Sequence, residues 1–193
     1  MTGETNRIEA YSDGIFAFAA TLLVIELKPP PATAPFWQGL LSQWPGFASF
    51  LLSFLLIGVL WLNHHRLFTH ICRSDDVLMV VNLLLLLGVV WIPYPTSLMA
   101  QAVATGDIRD AAILYNGSYL VLALLYNLLL FTGIRRGLVV CNPVGVRGIV
   151  RRYAVGPAAY LICLAVTFWN VPLSLAINGA MAIFFLVSPK KEI

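Results

Sequence analysis

Six stretches of this chain are apolar over a length that matches the hydrocarbon thickness of a bilayer. No other feature limits the possible folds as strongly. A helix rises about 1.5 Å per residue, so a core of about 30 Å takes about 20 residues. The stretches lie approximately at 8–27, 46–68, 77–98, 110–132, 153–169 and 171–187. Of the 193 residues 60% are hydrophobic and only 11% charged, where a soluble domain carries about 25% charged residues. In lipid every backbone amide must be satisfied within the protein, and for runs of this length that means helices. The expected fold is therefore an all-α integral membrane protein with six transmembrane helices. Every loop is too short to fold alone, so residues 1–193 read as a single membrane domain.

Lys28 and the prolines at 29–31 end the first stretch. The last two stretches are short and separated only by Asn170 and Pro172, which predicts either a tight hairpin of spans or a buried re-entrant pair. The segment PFWQGLLSQWP at 35–45 carries aromatics and leucines on a short helical pattern. It reads either as a helix in the outer interface or as a loop anchored by two tryptophans. The first stretch is expected to be a span and not a cleaved leader: Glu4, Glu9 and Asp13 face a single Arg7 where a basic segment belongs, and Glu26 and Lys28 occupy the cleavage region before Ala32 and Ala34.

Charge distribution sets the expected orientation. Ten of the twelve Lys and Arg residues fall on one side of such a topology: Arg7; Arg66 and Arg73; Arg135, Arg136, Arg147, Arg151 and Arg152; Lys190 and Lys191. Lys28 and Arg109 fall on the other. By the positive-inside rule both the N- and the C-terminus are cytoplasmic. Trp37, Trp44, Trp91 and Tyr94 then approach the outer interface, where amphipathic rings settle.

This topology gathers polar residues at three inner helix ends. The first span brings Arg7, Ser12 and Asp13, the second Trp61, Asn63, His64, His65 and Arg66, and the third Asn82. Arg7 and Asp13 are six residues apart, roughly 240° around a helix, so they do not share a face. A carboxylate inside a span is expected to be paired, and by depth the candidates for Asp13 are His64, His65 and Asn82, with Ser12 assisting. One interhelical polar knot is thus expected. It either locks spans one to three together or relays an ion.

Other chemistries find little support. His64 and His65 are adjacent, about 100° apart on a helix, and His70 falls in the following loop, so metal or haem ligation within one chain has no suitable geometry. No H-E-x-x-H, G-x-S-x-G, phosphate-binding loop or dinucleotide fingerprint occurs, so no enzyme and no cofactor are expected. Cys72, Cys141 and Cys163 form no C-x-x-C and read as reduced, small hydrophobes. The lipid bilayer is the expected partner, and no nucleic acid.

Arg7-x-x-x-Tyr11-Ser12-Asp13-Gly14 resembles the R-x-x-x-F-S-D-G signature of the transmembrane protein 175 family of potassium channels. RIEAYSDGIFAFAATLLVIELKPP is similar to the bacterial pattern over the whole first helix, and WLNHHRLF at 61–68 and PYPTSL at 93–98 agree as well. The second half resembles the family only in its number of spans. The resemblance implies a homotetramer in the bacterial inner membrane, with the first helix of each subunit lining a central pore. Potassium and other monovalent cations would pass a hydrophobic constriction on that helix, acting as gate and filter. Carried over by position, the constriction is Phe18, Leu22 and Ile25, with Thr21 beside it. Glu26 either supplies four carboxylates at the pore mouth or pairs with Lys28. The knot then includes Arg7, Tyr11, Ser12, Asp13, Gly14, Trp61, His64, His65 and Asn82. Tyr11 stands where the family has Phe, and Phe18 where it has Ile or Leu. Four phenylalanines around an axis would either seal the pore more tightly or offer ring faces to a cation.

Two readings from other classes stand beside the channel. One is a proton-coupled carrier using Asp13 and His64 or His65 as a relay. Carriers show internal repeats and broken helices near the midplane, whereas here the polar groups are expected to cluster at the inner end. The other is a membrane assembly factor without transport.

Overall fold

A computed structural model describes residues 5–30, 33–139 and 143–187. Pro31, Ala32, Cys141, Lys190 and Lys191, each named above, lie outside the described residues. The described residues form eight helices: α1 (Asn6–Ile25), α2 (Phe36–Ser42), α3 (Trp44–Phe68), α4 (Asp76–Trp91), α5 (Pro93–Thr105), α6 (Arg109–Arg135), α7 (Pro143–Thr167) and α8 (Val171–Val187). Among the described residues there is no strand, only an isolated antiparallel bridge between Ile71 and Val139. Among the described residues five segments are long and apolar enough to cross a membrane: α1, α3, α4 with α5 taken together, α6, and Val146–Thr167 of α7. Val171–Ile183 of α8 is a shorter apolar helix.

Local chemistry explains the boundaries. Asp75 caps α4, its carboxylate accepting the Leu78 amide at 2.9 Å. Pro93 opens α5, where its missing N–H costs least. Gly106 closes α5 at φ 92°, a left-handed conformation that a side chain would strain. Asn170 accepts the Leu173 amide at 2.9 Å and starts α8.

Two expected boundaries need correction. The third stretch does not run unbroken to Leu98: it divides at Ile92, where Pro93 and Pro95 follow and the chain restarts as α5. The fifth is not short. Its helix begins ten residues before Tyr153, at Pro143, because the arginines that suggested a loop lie on an exposed helical turn. The aromatic segment before α3 does contain a short helix, α2, with Phe36, Trp37 and Leu41 exposed.

Because lipid tails are as apolar as leucine, interhelical hydrogen bonds and close approach of small residues must hold such a bundle together. α4 and α6 meet at Gly88, where an added Cβ would lie 2.8 Å from a Leu122 methyl. Buried Ser53 links α3 to Thr96 of α5 at 2.8 Å and to Tyr115 of α6 at 3.0 Å. A further buried group joins α6, α7 and α8. Asn116 donates to Thr167 at 2.8 Å and to Ser174 at 2.9 Å, and Asn178 donates to the Asn116 carbonyl at 2.6 Å. These groups come in addition to the knot expected at the inner ends of the first three spans. Each of these residues looks like a solitary polar interruption in an apolar run, and only packing makes them a cluster.

Pro157, inside α7, has no N–H for the carbonyl four residues earlier, that of Tyr153. Asn127 of α6 donates to that carbonyl at 3.0 Å, and to its own Ala123 carbonyl at 2.8 Å. At the arginine-rich end, Arg136 pairs with Asp75 and the Cys72 amide donates to the Leu138 carbonyl at 3.2 Å. The loop after α3 and the chain after α6 are thereby tied to one end of the bundle. Arg109, at the start of α6, donates to the Phe168 carbonyl at the end of α7.

Asn127→Leu is expected to lower stability by about 1–2 kcal/mol, the range of interhelical hydrogen bonds in membranes. Adding Pro157→Ala should recover most of the loss, because the restored amide takes the Tyr153 carbonyl. Unfolding midpoints of the two single variants and the double variant test this, and strictly additive effects would rule the pairing out. The Leu78 amide and the Arg136 guanidinium hold the Asp75 carboxyl below the usual carboxylate range. Its stabilising effect is therefore complete above the ordinary carboxylate pKa and is lost as pH falls through the lowered value. Asp75→Asn should flatten the acid side of a stability-against-pH curve.

Candidate functional site

The buried stripe of α1 is Ser12, Phe16, Ala19 and Leu23, spaced by four, three and four, which keeps one face against α3 and α4. The polar residues divide across that stripe. Ser12, 0% exposed, donates to the Ile8 carbonyl at 2.7 Å and accepts from the Asn82 amide at 3.0 Å. With its NH2 turned to Ser12, Asn82 presents its carbonyl to His64 Nε2 at 3.0 Å. That direction fixes His64 as the donor through Nε2–H, since the amide oxygen can only accept. Ser12, Asn82 and His64, all buried, thus form one directional chain across α1, α4 and α3. The His64 ring is stacked on Phe68 at 4.5 Å and lies 5.4 Å from Phe16.

Asp13 lies outside this chain. Its carboxylate accepts the Trp61 indole N–H at 2.8 Å, and both residues are exposed. The partners expected for Asp13 were His64, His65 and Asn82, but the 100° between Asp13 and Ser12 sends the two side chains to different neighbours. Trp61 in turn stacks on His65, centroids 6.5 Å apart at 25°, one turn along the exposed side of α3. The structure therefore holds two knots where one was expected: a buried one around Asn82, and an exposed one of Asp13, Trp61 and His65. Adjacent in sequence, the two histidines belong to different knots.

Arg7, Tyr11 and Gly14 are exposed, and among the described residues Arg7 and Tyr11 meet no hydrogen-bond partner. Phe16 and Phe68, which enclose His64, were not singled out in the sequence. Their spacing to polar residues, four from Ser12 and four from His64, is the signal that was there to read.

Phe18 is 56% and Ile25 72% exposed, with Leu22 half-buried at the edge of the same face. Thr21 donates its hydroxyl proton to the Phe18 carbonyl at 2.8 Å, so only its oxygen lone pairs remain outward. Glu26 and Lys28 are both exposed and do not pair: among the described residues the one ion pair is Arg136 with Asp75. Only 22% of the α1 span is buried, against 44% for the α4–α5 span. Most of α1 is therefore free surface on a single chain.

Residues 7–93, which take in all of α1 but its first residue, the whole of α3 and α4 and hence both knots, match the family model described as endosomal/lysosomal potassium channel TMEM175. A potassium channel of Streptomyces collinus is 36% identical over 94% of this chain and 91% of its own length. One of Chamaesiphon minutus is 39% identical over 94% of this chain and 93% of its own length. The fold is similar to the crystal structure of a lysosomal potassium-selective channel TMEM175 homologue from Chamaesiphon minutus, with a TM-score of 0.86 at 38% identity, covering 95% of this chain and 97% of that one. This chain, a multi-pass membrane protein, belongs to the TMEM175 family.

Proposed function

We propose that four copies of this chain assemble around a central pore that passes potassium and related monovalent cations. The face of α1 carries this reading. Phe18 and Ile25 stand exposed with Leu22 beside them, on the helix that the family match includes from its first turn. An apolar ring of this kind gates by dewetting, which polar side chains would abolish. The relatives' description as potassium channels supports potassium as the permeant ion, with no cofactor needed. In this reading the six spans are α1, α3, α4 with α5, α6, α7 and α8. The arginine-rich end faces the cytoplasm of a bacterial cell and Glu26 sits at the outer mouth. The two knots are structural: they fix the rotation of α1 about its axis, and so which residues reach the pore.

The geometry counts against a carrier that relays protons from Asp13 to histidine. Asp13 bonds the Trp61 indole and His64 bonds the Asn82 amide, so no carboxylate–imidazole contact joins them.

Phe18→Ala is expected to raise single-channel conductance, and Leu22→Asn to raise it and weaken discrimination between potassium and sodium. Planar-bilayer recording of both variants is decisive: unchanged conductance and unchanged reversal potential in both would remove α1 from the pore. Asp13→Asn keeps an oxygen for Trp61, so potassium flux into liposomes should persist without a proton gradient, and its loss would favour the carrier. Asn82→Leu breaks the buried chain at two bonds. It should lower the unfolding midpoint, at about 1–2 kcal/mol, and reduce flux together.

A further inference from the structure

A cleft of about 50 Å³ opens between α3, α6 and α7 towards the arginine-rich end of the bundle. Its walls are mainly apolar, with Leu60, Ala123, Gly156 and Tyr160 among them, and Asn63 and Arg152 complete it. The polar groups of its two other tyrosines are already committed. Tyr126 donates to the Leu60 carbonyl at 2.6 Å and Tyr153 to the Asn63 carbonyl at 2.7 Å. Beside the Asn63 amide and the Tyr160 hydroxyl, what remains is positive charge. Arg152 is exposed and enters no ion pair among the described residues. Arg66 stands one turn beyond the lining residue Asn63 on α3, at the same end of the bundle. Its Nη1 is buried with no hydrogen-bond partner.

A buried guanidinium nitrogen without an acceptor is costly, and the described residues offer it no carboxylate. Phosphate suits guanidinium groups, which grip it through paired N–H donors. A free phosphate, however, would leave the apolar wall without a partner. The volume exceeds that of a water, about 30 Å³ in the liquid, and falls well short of a whole lipid. It fits the junction between a headgroup and its chains, with the chains left in the surrounding lipid. Basic pockets between membrane helices bind anionic headgroups in this way.

We propose that this cleft is a binding site for an anionic phospholipid, its phosphate held by Arg66 and Arg152 and its glycerol end seated between Ala123, Gly156 and Tyr160. Gly156 keeps the cleft open: a Cβ there would touch Ala123 at 3.6 Å, and a longer side chain would fill the space.

The experiment titrates purified protein in detergent with short-chain phosphatidylglycerol, with phosphatidylcholine of the same chains, and with inorganic phosphate, counting adducts by native mass spectrometry. Wild type and Arg147→Gln should retain phosphatidylglycerol, and Arg66→Gln, Arg152→Gln and Gly156→Leu should lose it severalfold. Phosphatidylcholine should be retained severalfold less, and inorganic phosphate should displace nothing. If Arg66→Gln fails to fold by circular dichroism, Arg152→Gln and Gly156→Leu decide the matter. Wild-type retention in both, equal retention of phosphatidylcholine, or displacement by inorganic phosphate would overturn the site. Retention is read without ion flux, so this result stands apart from the pore assignment.

Discussion

Asn82 is the point at which three helices agree on their positions. A primary amide has one donor side and one acceptor side, and here each faces a different helix: Ser12 on α1, His64 on α3. Lipid gives no reason for these helices to prefer one rotation over another, because an apolar side chain is as well solvated by lipid as by protein. The directional amide supplies that reason. Rotating α1 by one residue would carry Ser12 away from the Asn82 amide that it accepts. The same contact that fixes the buried face of α1 also fixes its free face, and so places Phe18 and Ile25 outward.

The second half of the bundle works by the same rule with other residues. Asn116 holds α7 and α8 through Thr167 and Ser174, and Asn127 takes the carbonyl that Pro157 frees. Pro157 is tolerated because a neighbouring helix satisfies what it leaves open, as the absence of water requires. Tyrosines do the remaining bracing, donating from α6 and α7 to carbonyls of α3 at Leu60 and Asn63. Those bonds also shape the cleft beside Arg152, so bracing and ligand geometry have a common origin there.

The first helix is the least buried of the early spans. Tyr11, Phe18 and Ile25, seven residues apart each time and all more than half exposed, share one free face of it. Beside it, Asp13 and Trp61 form an exposed brace between α1 and α3, while the buried chain through Asn82 holds the other side of the helix.

Apolar run length determined the class of the protein and the existence of its spans, because bilayer thickness converts directly into a residue count. The spacing of Lys and Arg determined which helix ends belong together, and the ties of Asp75 to Arg136 and of Cys72 to Leu138 have both loops at one end. The pairings, by contrast, were decided only in three dimensions. Adjacent residues on a helix point about 100° apart, so Ser12 and Asp13, or His64 and His65, separate as soon as neighbours are packed around them. No local pattern states which helix stands on which side. For the same reason Asn116, Thr167, Ser174 and Asn178 looked like isolated interruptions: their partners lie as far as 62 residues away, and only the packing of α6 against α7 and α8 joins them.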